Sequence, residues 1–519
     1  MAIISILRSL VANALFAVGV MCASFCHAAC VPENLLSPAP QDPVARVLAE
    51  QDACPSNAVE FVERLKRSGA RLEPTMVNFR GFHNPKDGAF FIFEIVSRDG
   101  APSSSSAISR GDMFFGHFTD LDGANLVSFR SPNDLVIELI AWDPDKQFYN
   151  FYELTQGKWV FRGDSKDILD DLRLLHRQRS ASQEPIPAKP KLRCSGCHLN
   201  GALLQKELAP PHNDWFVQGR ELPLGELKPD AFVQERLASM MDAGELSKEV
   251  VAAARRLASS AGYRKVMASR SMQEQLRPLF CPMEVNIESD GEPFDDQKPS
   301  LRIPSGLFVD SRLAIAEISV KRQDYAAALR KLRSHLPETT PERDDADHAW
   351  LTPVKAQSDI IAVDALIEQG VVDKEFVADV LAVDFTNPVF SIARCDLLKL
   401  VPDTPGSDFM PRFQNALRGS AAPAAAELLE NLSNPAHNAA SYVQQASALL
   451  ANCQRKSSEG DTVVEWLRLL AQRRLEVSKS EISHHRIFHI LEPGRIIFPT
   501  TQPEAEAGRL TLTPACEVH

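Results

Sequence analysis

Between Leu72 and Phe161 the apolar residues of this 519-residue chain recur at every second position, and beyond Pro229 they recur at every third or fourth. Alternation suits a half-buried strand, and three-to-four spacing suits one helix face, so the two stretches cannot adopt the same kind of structure. The strand-type runs lie at 76–79, 89–96, 126–129, 135–142, 148–154 and 158–161, and are rich in aromatic and β-branched side chains. Asn84 to Gly88, Asp122-Gly123, Asp143-Pro144-Asp145 and Gln156-Gly157 separate them with turn chemistry. An antiparallel sheet of about five to seven strands is expected. Tyr149 to Phe161 reads as a hairpin turning at Thr155-Gln156-Gly157, and 102–106 as a loop.

Helical spacing flanks this sheet. Val44, Val47 and Leu48 share one face before it, as do Phe61, Val62 and Leu65, with Gly69 as the stop. After it, Ile168, Leu169, Leu172 and Leu175 line a helix over 164–176, with Ser165 as the expected cap. Phe232, Val233, Leu237, Met240 and Met241 suggest one further helix; Leu246, Val250, Val251, Ala254 and Leu257 suggest another, ended by Gly262. More helices are expected at 314–336, 360–385, 421–432, 441–453 and 463–477. Residues 179–191 hold three prolines and few apolar side chains, so they read as linker.

The start of the chain speaks of export. Arg8 precedes a mostly apolar run from Leu10 to Phe25, and Ala28 and Ala29 follow, which is the layout of a cleavable secretory signal over 1–28. Lipidation at Cys30 is the weaker alternative, because His27 stands where an aliphatic residue is wanted. No later stretch has eighteen uninterrupted apolar residues, so no membrane span is expected after signal cleavage. A net charge of −12 argues against nucleic acid as a partner and suits a basic protein partner.

Within this exported chain stands Cys194-Ser195-Gly196-Cys197-His198. Cys-x-x-Cys-His reads as a c-type haem attachment site: two thiols reach neighbouring vinyl groups from one turn of chain, and the next imidazole is tethered near the iron. A zinc site would need further ligands, and the chain has no second Cys-x-x-Cys. Ten cysteines, less Cys22 and Cys26 in the signal and the motif pair, leave Cys30, Cys54, Cys281, Cys395, Cys453 and Cys516. An even remainder in an oxidising compartment predicts disulfides. The expected pairs are Cys30–Cys54, Cys395–Cys453 and Cys281–Cys516.

These five residues resemble the attachment motif of bacterial periplasmic c-type cytochromes. The chain is longer than that class usually is, with some 190 residues before the motif and 320 after it. It is also similar in layout to cytochrome P460 and related β-sheet cytochromes, in which a sheet precedes a single motif. There the motif closes the chain, whereas here a helical region follows. The resemblance implies one covalent haem c held by Cys194 and Cys197, with His198 as the proximal iron ligand. It further implies electron transfer with a periplasmic redox partner protein. A haem enzyme acting on peroxide or another small oxidant, and a haem-based ligand sensor, are the alternatives.

The far side of the iron would decide among them. Small cytochromes c place a methionine some tens of residues after the motif, which points to Met240 or Met241, with Met267, Met272 and Met283 further on. Core methionines are the commoner case. His212 and Trp215 are expected at the haem edge. His83 and His117 could cap a pocket from the sheet, while His484, His485 and His489 read as a solvated helix end. The expected fold is α+β and multidomain. A signal (1–28) and helical segment (29–71) precede an antiparallel β-rich domain (72–178). A Pro-rich linker (179–193) leads to a cytochrome c-like haem domain (194–285). A second linker (286–304), a helical domain (305–495) and an extended tail (496–519) complete it.

Overall fold

The computed structural model describes residues 30–35, 39–50, 53–78, 90–100, 107–119, 135–155, 157–171, 194–196, 198, 200–203, 231–290, 298–332, 349–479 and 509–519. Helix α1 (Pro43–Ala49) starts where Asp42 accepts from the Ala45 amide and Pro43 presets the first turn. Helix α2 (Ala58–Arg67) starts at Asn57, whose side chain accepts from Glu60 N at 2.9 Å. It gives way at Gly69, φ +84°, the expected stop.

The chain then runs up and down through β1 (Ala70–Asn78), β2 (Phe90–Arg98), β3 (Ile108–Thr119), β4 (Leu135–Asp143), β5 (Phe148–Thr155) and β6 (Lys158–Asp164). They form one six-stranded antiparallel sheet in chain order. The β5–β6 hairpin is the one the sequence predicts. Strand β3 is not anticipated by the sequence: Arg110, Gly111, Asp112 and Gly116 break its alternation with residues that strands avoid. It holds because Phe114 pairs with both Ile95 and Ile140 in the middle of the sheet. The run at 126–129 lies outside the described residues.

Side-chain parity divides the sheet into two buried faces. Met113, Leu139, Ala141, Tyr152 and Phe161 pack with α1 and α2 in one core. Ile95, Phe114, Ile140, Tyr149 and Phe151 belong to a second core that continues through the helical half of the chain. Residues 165–171 form helix α3. Its cap is Asp164, which accepts from Lys166 N and Asp167 N, and not Ser165, whose hydroxyl accepts from Tyr149 N. After α4 (Ala231–Ala238), helix α5 (Ala243–Ser259) lies over the second face with Leu246, Val250, Ala254 and Leu257 buried. Arg256 pins it there, donating to Asp112 at 2.6 Å, Gly111 O at 2.8 Å and the Tyr149 hydroxyl at 2.6 Å.

Two local expectations change here. Met240 and Met241 fall beyond the end of α4, and Met241 N donates to Pro74 O while Thr75 Oγ1 donates to Met241 O, which ties this link to β1. Gly262 does not stop α5; it lies in the first turn of α6 (Ala261–Ala268). A Cβ there would stand 3.0 Å from Lys146 O and from the Phe148 ring, so a side chain would crowd the β4–β5 turn.

The rest is mostly helical: α7 (Met272–Phe280), α8 (Arg322–Leu332), α9 (Gln357–Glu368), α10 (Lys374–Ala382), α11 (Ile392–Asp396), α12 (Phe409–Arg418), α13 (Pro423–Ser433), α14 (Ala439–Lys456) and α15 (Thr462–Lys479). The expected linker at 286–304 contains strand residues instead. β7 (Val285–Glu288) pairs with β10 (Thr352–Lys355), and β8 (Ser300–Ile303) with β9 (Ile318–Lys321). Ile318 and Val320 alternate as buried strand residues, which shortens the helix expected over 314–336 to α8. Among the described residues no helix is long and apolar enough to cross a membrane.

Cys30–Cys54 forms as expected. The other four cysteines exchange partners, giving Cys281–Cys395 and Cys453–Cys516. Spatial neighbourhood overrides closeness in sequence: Cys281, at the end of α7, meets α11, while α14 carries Cys453 to the C-terminal turn.

Ionisable side chains are buried together in this half. Lys355 Nζ lies 3.4 Å from Asp310, and Asp359 at the start of α9 accepts from Met283 N at 2.7 Å. Burial raises the Asp359 carboxyl to about 7, against its backbone hydrogen bonds and Lys355, which lower it. A raised folded value makes this contribution to stability full below the ordinary 3.8 and lost as pH rises through 7. Denaturant unfolding between pH 4 and 8 is therefore expected to show a flatter loss of stability in Asp359→Asn than in wild type. Superimposable profiles would contradict this.

Candidate functional site

The motif begins in a single 3-10 turn, Cys194–Gly196, in which Cys194 is half-buried. The backbone closes on itself: His198 N donates to Cys194 O at 3.0 Å, and Gly201 N donates to His198 O at 2.9 Å. Asn200 then caps the next bend, its side chain accepting from Ala202 N at 3.1 Å. Gly201 has φ +70°, and a Cβ there would stand 2.7 Å from Ser165 O and 3.2 Å from the Leu169 side chain. Only glycine allows this chain to lie flat on α3. The Asp164 cap, α3 and Gly201 thus form one line of support that ends at His198.

His198 is 2% exposed, and its ring centroid stands 5.1 Å from that of Phe151 on β5. Nδ1 lies 2.8 Å from Ala202 O. A carbonyl can only accept, so Nδ1 carries the proton and Nε2 the lone pair in the neutral ring. Burial lowers the imidazole to about 4, outweighing hydrogen bonds to the backbone of Ala202 and Leu203 that favour the charged form. The ring is therefore neutral throughout the physiological range. A neutral imidazole with one nitrogen bonded to a backbone carbonyl is the form in which histidine binds a metal.

Beside the ring lies a cavity of about 30 Å³. Phe93, Phe114, Gly116, Glu138 and Ile140 wall it from the sheet, Leu246 and Val250 from α5, and Leu203 from the motif segment. Register explains the wall: Ile95, Phe114, Ile140 and Phe151 are consecutive cross-strand neighbours, and Gly116, Glu138 and Glu153 form the adjoining row. Glu153 is buried and accepts from Arg162 Nε at 2.6 Å. That ion pair lessens the repulsion between two carboxylates placed opposite each other.

Sequence reasoning did not single out Phe151, Glu138 or the Ala202 carbonyl. A signal existed for Glu138, a carboxylate inside the apolar run Val136-Ile137-Glu138-Leu139-Ile140. No sequence signal marked Ala202, because its contribution is a backbone oxygen.

Among the described residues, the expected methionines do not line this cavity. Met240 is buried beyond α4, and neither it nor Met241 lines the cavity. Met267 lies on α6, Met272 opens α7 and Met283 follows it. His117 lies in β3 opposite Ile92 and Ile137. Cys197, His212, Trp215, His83, His484, His485 and His489 lie outside the described residues.

The Cys194 thiol is half-buried and the His198 imidazole is buried within the same short segment. The Ser195 hydroxyl in the same turn is fully buried and has no hydrogen-bond partner among the described residues. That cost suits a segment shaped around a bound group. The 30 Å³ cavity is the size of a small molecule and does not itself hold a macrocycle. Among the described residues no group of three or more His, Cys, Asp or Glu could hold a metal ion. Family models, curated proteins and solved structures were compared with the chain, and none matches it.

Gly201→Ala is expected to destabilise the protein by about 1–3 kcal/mol, the usual cost of a strained backbone position. Chemical denaturation checks this; a variant as stable as wild type would show that the flat approach to α3 is not what holds the motif segment.

Proposed function

We propose that this chain is an exported, periplasmic c-type cytochrome carrying one covalent haem, and that it transfers electrons. The observation that carries the reading is the state of His198. A buried, neutral imidazole with its Nδ1 proton committed to Ala202 O directly follows a pair of thiols. Haem brings four nitrogens of its own, so one histidine and two thioethers suffice where a bare ion would need a cluster of side chains. The three disulfides take the other six cysteines of the mature chain and leave the Cys194–Cys197 pair outside them.

Each residue then has one task. Cys194 and Cys197 would hold the haem through two thioether bonds. His198 would supply a nitrogen ligand to the iron, and Ala202 O fixes the tautomer and rotation of its ring. Phe151 and the α5 roof keep water from the ring, which raises the energetic weight of local charges. A haem held here would supply one-electron chemistry for exchange with a redox partner protein. The net charge of −12 favours a partner with a basic face and disfavours nucleic acid.

The test is a denaturing gel stained for haem, joined to absorption spectra. Protein matured in a host that attaches c-type haem is expected to stain, and Cys194→Ala with Cys197→Ala to abolish the stain. Unstained wild type, or equal stain in the variant, would refute covalent attachment. Low-spin bands in both oxidation states, unmoved by cyanide or carbon monoxide, are expected of an electron carrier. High-spin bands that shift with either ligand would overturn that role in favour of small-oxidant chemistry.

A further inference from the structure

The three disulfides are not equally protected. Cys453 and Cys516 are both buried, and of the next pair Cys281 is buried and Cys395 half-buried. In Cys30–Cys54, by contrast, Cys30 is buried but Cys54 is exposed. Disulfide exchange needs a sulfur that an incoming thiolate can reach, so this bond is the one most open to attack. Its partners are also the closest in the chain, 24 residues apart against 114 and 63. In the chain-entropy view, opening the shortest loop destabilises the fold least.

Both ends of this bond bear on β6. From Cys30 the chain runs to Glu33, which joins β6 in a single parallel bridge. Glu33 N donates to Trp159 O at 2.8 Å, and Phe161 N donates to Glu33 O at 2.9 Å. From Cys54 the chain runs to Pro55, whose carbonyl accepts from Trp159 Nε1 at 2.8 Å. β6 is the last strand of the sheet, and an open sheet edge offers unpaired N–H and C=O groups to other chains. It also ends at Asp164, the cap of α3 beneath Gly201, so it leads to the motif segment.

The 30–35 segment depends on its crosslink. Its backbone reaches β6 through that one bridge, and Leu35 packs on the core shared with α1 and α2. The Lys158–Glu33 ion pair is exposed at both ends and so contributes little. Val31 is exposed, and Asn34 holds a left-handed φ of +63°.

We propose that Cys30–Cys54 is a redox-operated lock on the β6 edge, opened by a small dithiol or by a protein carrying a thiol pair. One thiolate of the reductant attacks the sulfur of Cys54, and Cys30 leaves as a thiolate. The second thiol of the reductant then displaces Cys54. The reductant ends as a disulfide, and its two thiol protons end on Cys30 and Cys54. With the bond open, the 30–35 segment leaves β6, and the Phe161 amide loses its acceptor. The lock needs no haem, because every contact in it belongs to the polypeptide.

The test treats the full, oxidised chain with dithiothreitol under native conditions, quenches by alkylation and maps the labelled peptides by mass. Cys30 and Cys54 are expected to be labelled roughly tenfold faster than the other four disulfide cysteines. Hydrogen exchange at the Phe161 amide is expected to quicken roughly tenfold in the selectively reduced protein, with β4 still protected, and to return on reoxidation. Cys30→Ser with Cys54→Ser is expected to show the reduced pattern without dithiothreitol; should it fail to fold, the reduced wild type carries the same test. Another pair opening first or together with this one overturns the proposal. So does a Phe161 amide that reduction leaves protected or that reoxidation does not restore. Neither result bears on haem stain at Cys194 and Cys197, so this reading and the haem reading fail separately.

Discussion

The hydrogen bond from His198 Nδ1 to Ala202 O is the interaction on which the arrangement turns. A buried imidazole is tolerated only if it is neutral and its N–H is satisfied, and one backbone carbonyl four residues on meets both conditions. The ring can then sit against Phe151. The supports of this bond are themselves backbone devices. Gly201 lets the chain touch α3, Asp164 starts α3, and β6 delivers the chain to that cap. Loss of any of these moves the carbonyl before it touches the imidazole.

A sheet buried on both faces makes this possible. One parity of β3, β4 and β5 packs on α1 and α2, which leaves the other parity to form the wall near His198 and meet α5. Arg256 holds that roof from the sheet side through Asp112, Gly111 and Tyr149. The helical half shares the same core, so the site lies where the two kinds of structure meet, consistent with the change of period between Phe161 and Pro229.

Much of this was legible in the residues. Alternation found β2, β4 and the β5–β6 hairpin, and the Gly69 stop closes α2. What was not legible has physical causes. Strand β3 owes its place to partners on either side, which outweigh its two glycines and its charges. Met240 and Met241 continue a helical face in sequence, yet the chain leaves the helix first, because β1 offers Pro74 O and Thr75 as partners for Met241. Two disulfides join cysteines 114 and 63 residues apart, distances over which sequence carries no pairing information. At the site, the motif named His198 but not its surroundings, since Ala202 acts through its backbone and Phe151 through strand parity.

The most direct measurement is the mass of the protease fragment spanning Cys194 to His198, from protein matured in a periplasm that attaches c-type haem and then extracted with acidified acetone. Acid extraction removes a haem held by His198 alone and leaves one held by thioethers. The account predicts a fragment heavier by one whole haem, with no thiol left at Cys194 or Cys197. A fragment of unmodified mass, or one lighter by two hydrogens as a Cys194–Cys197 disulfide, would contradict it.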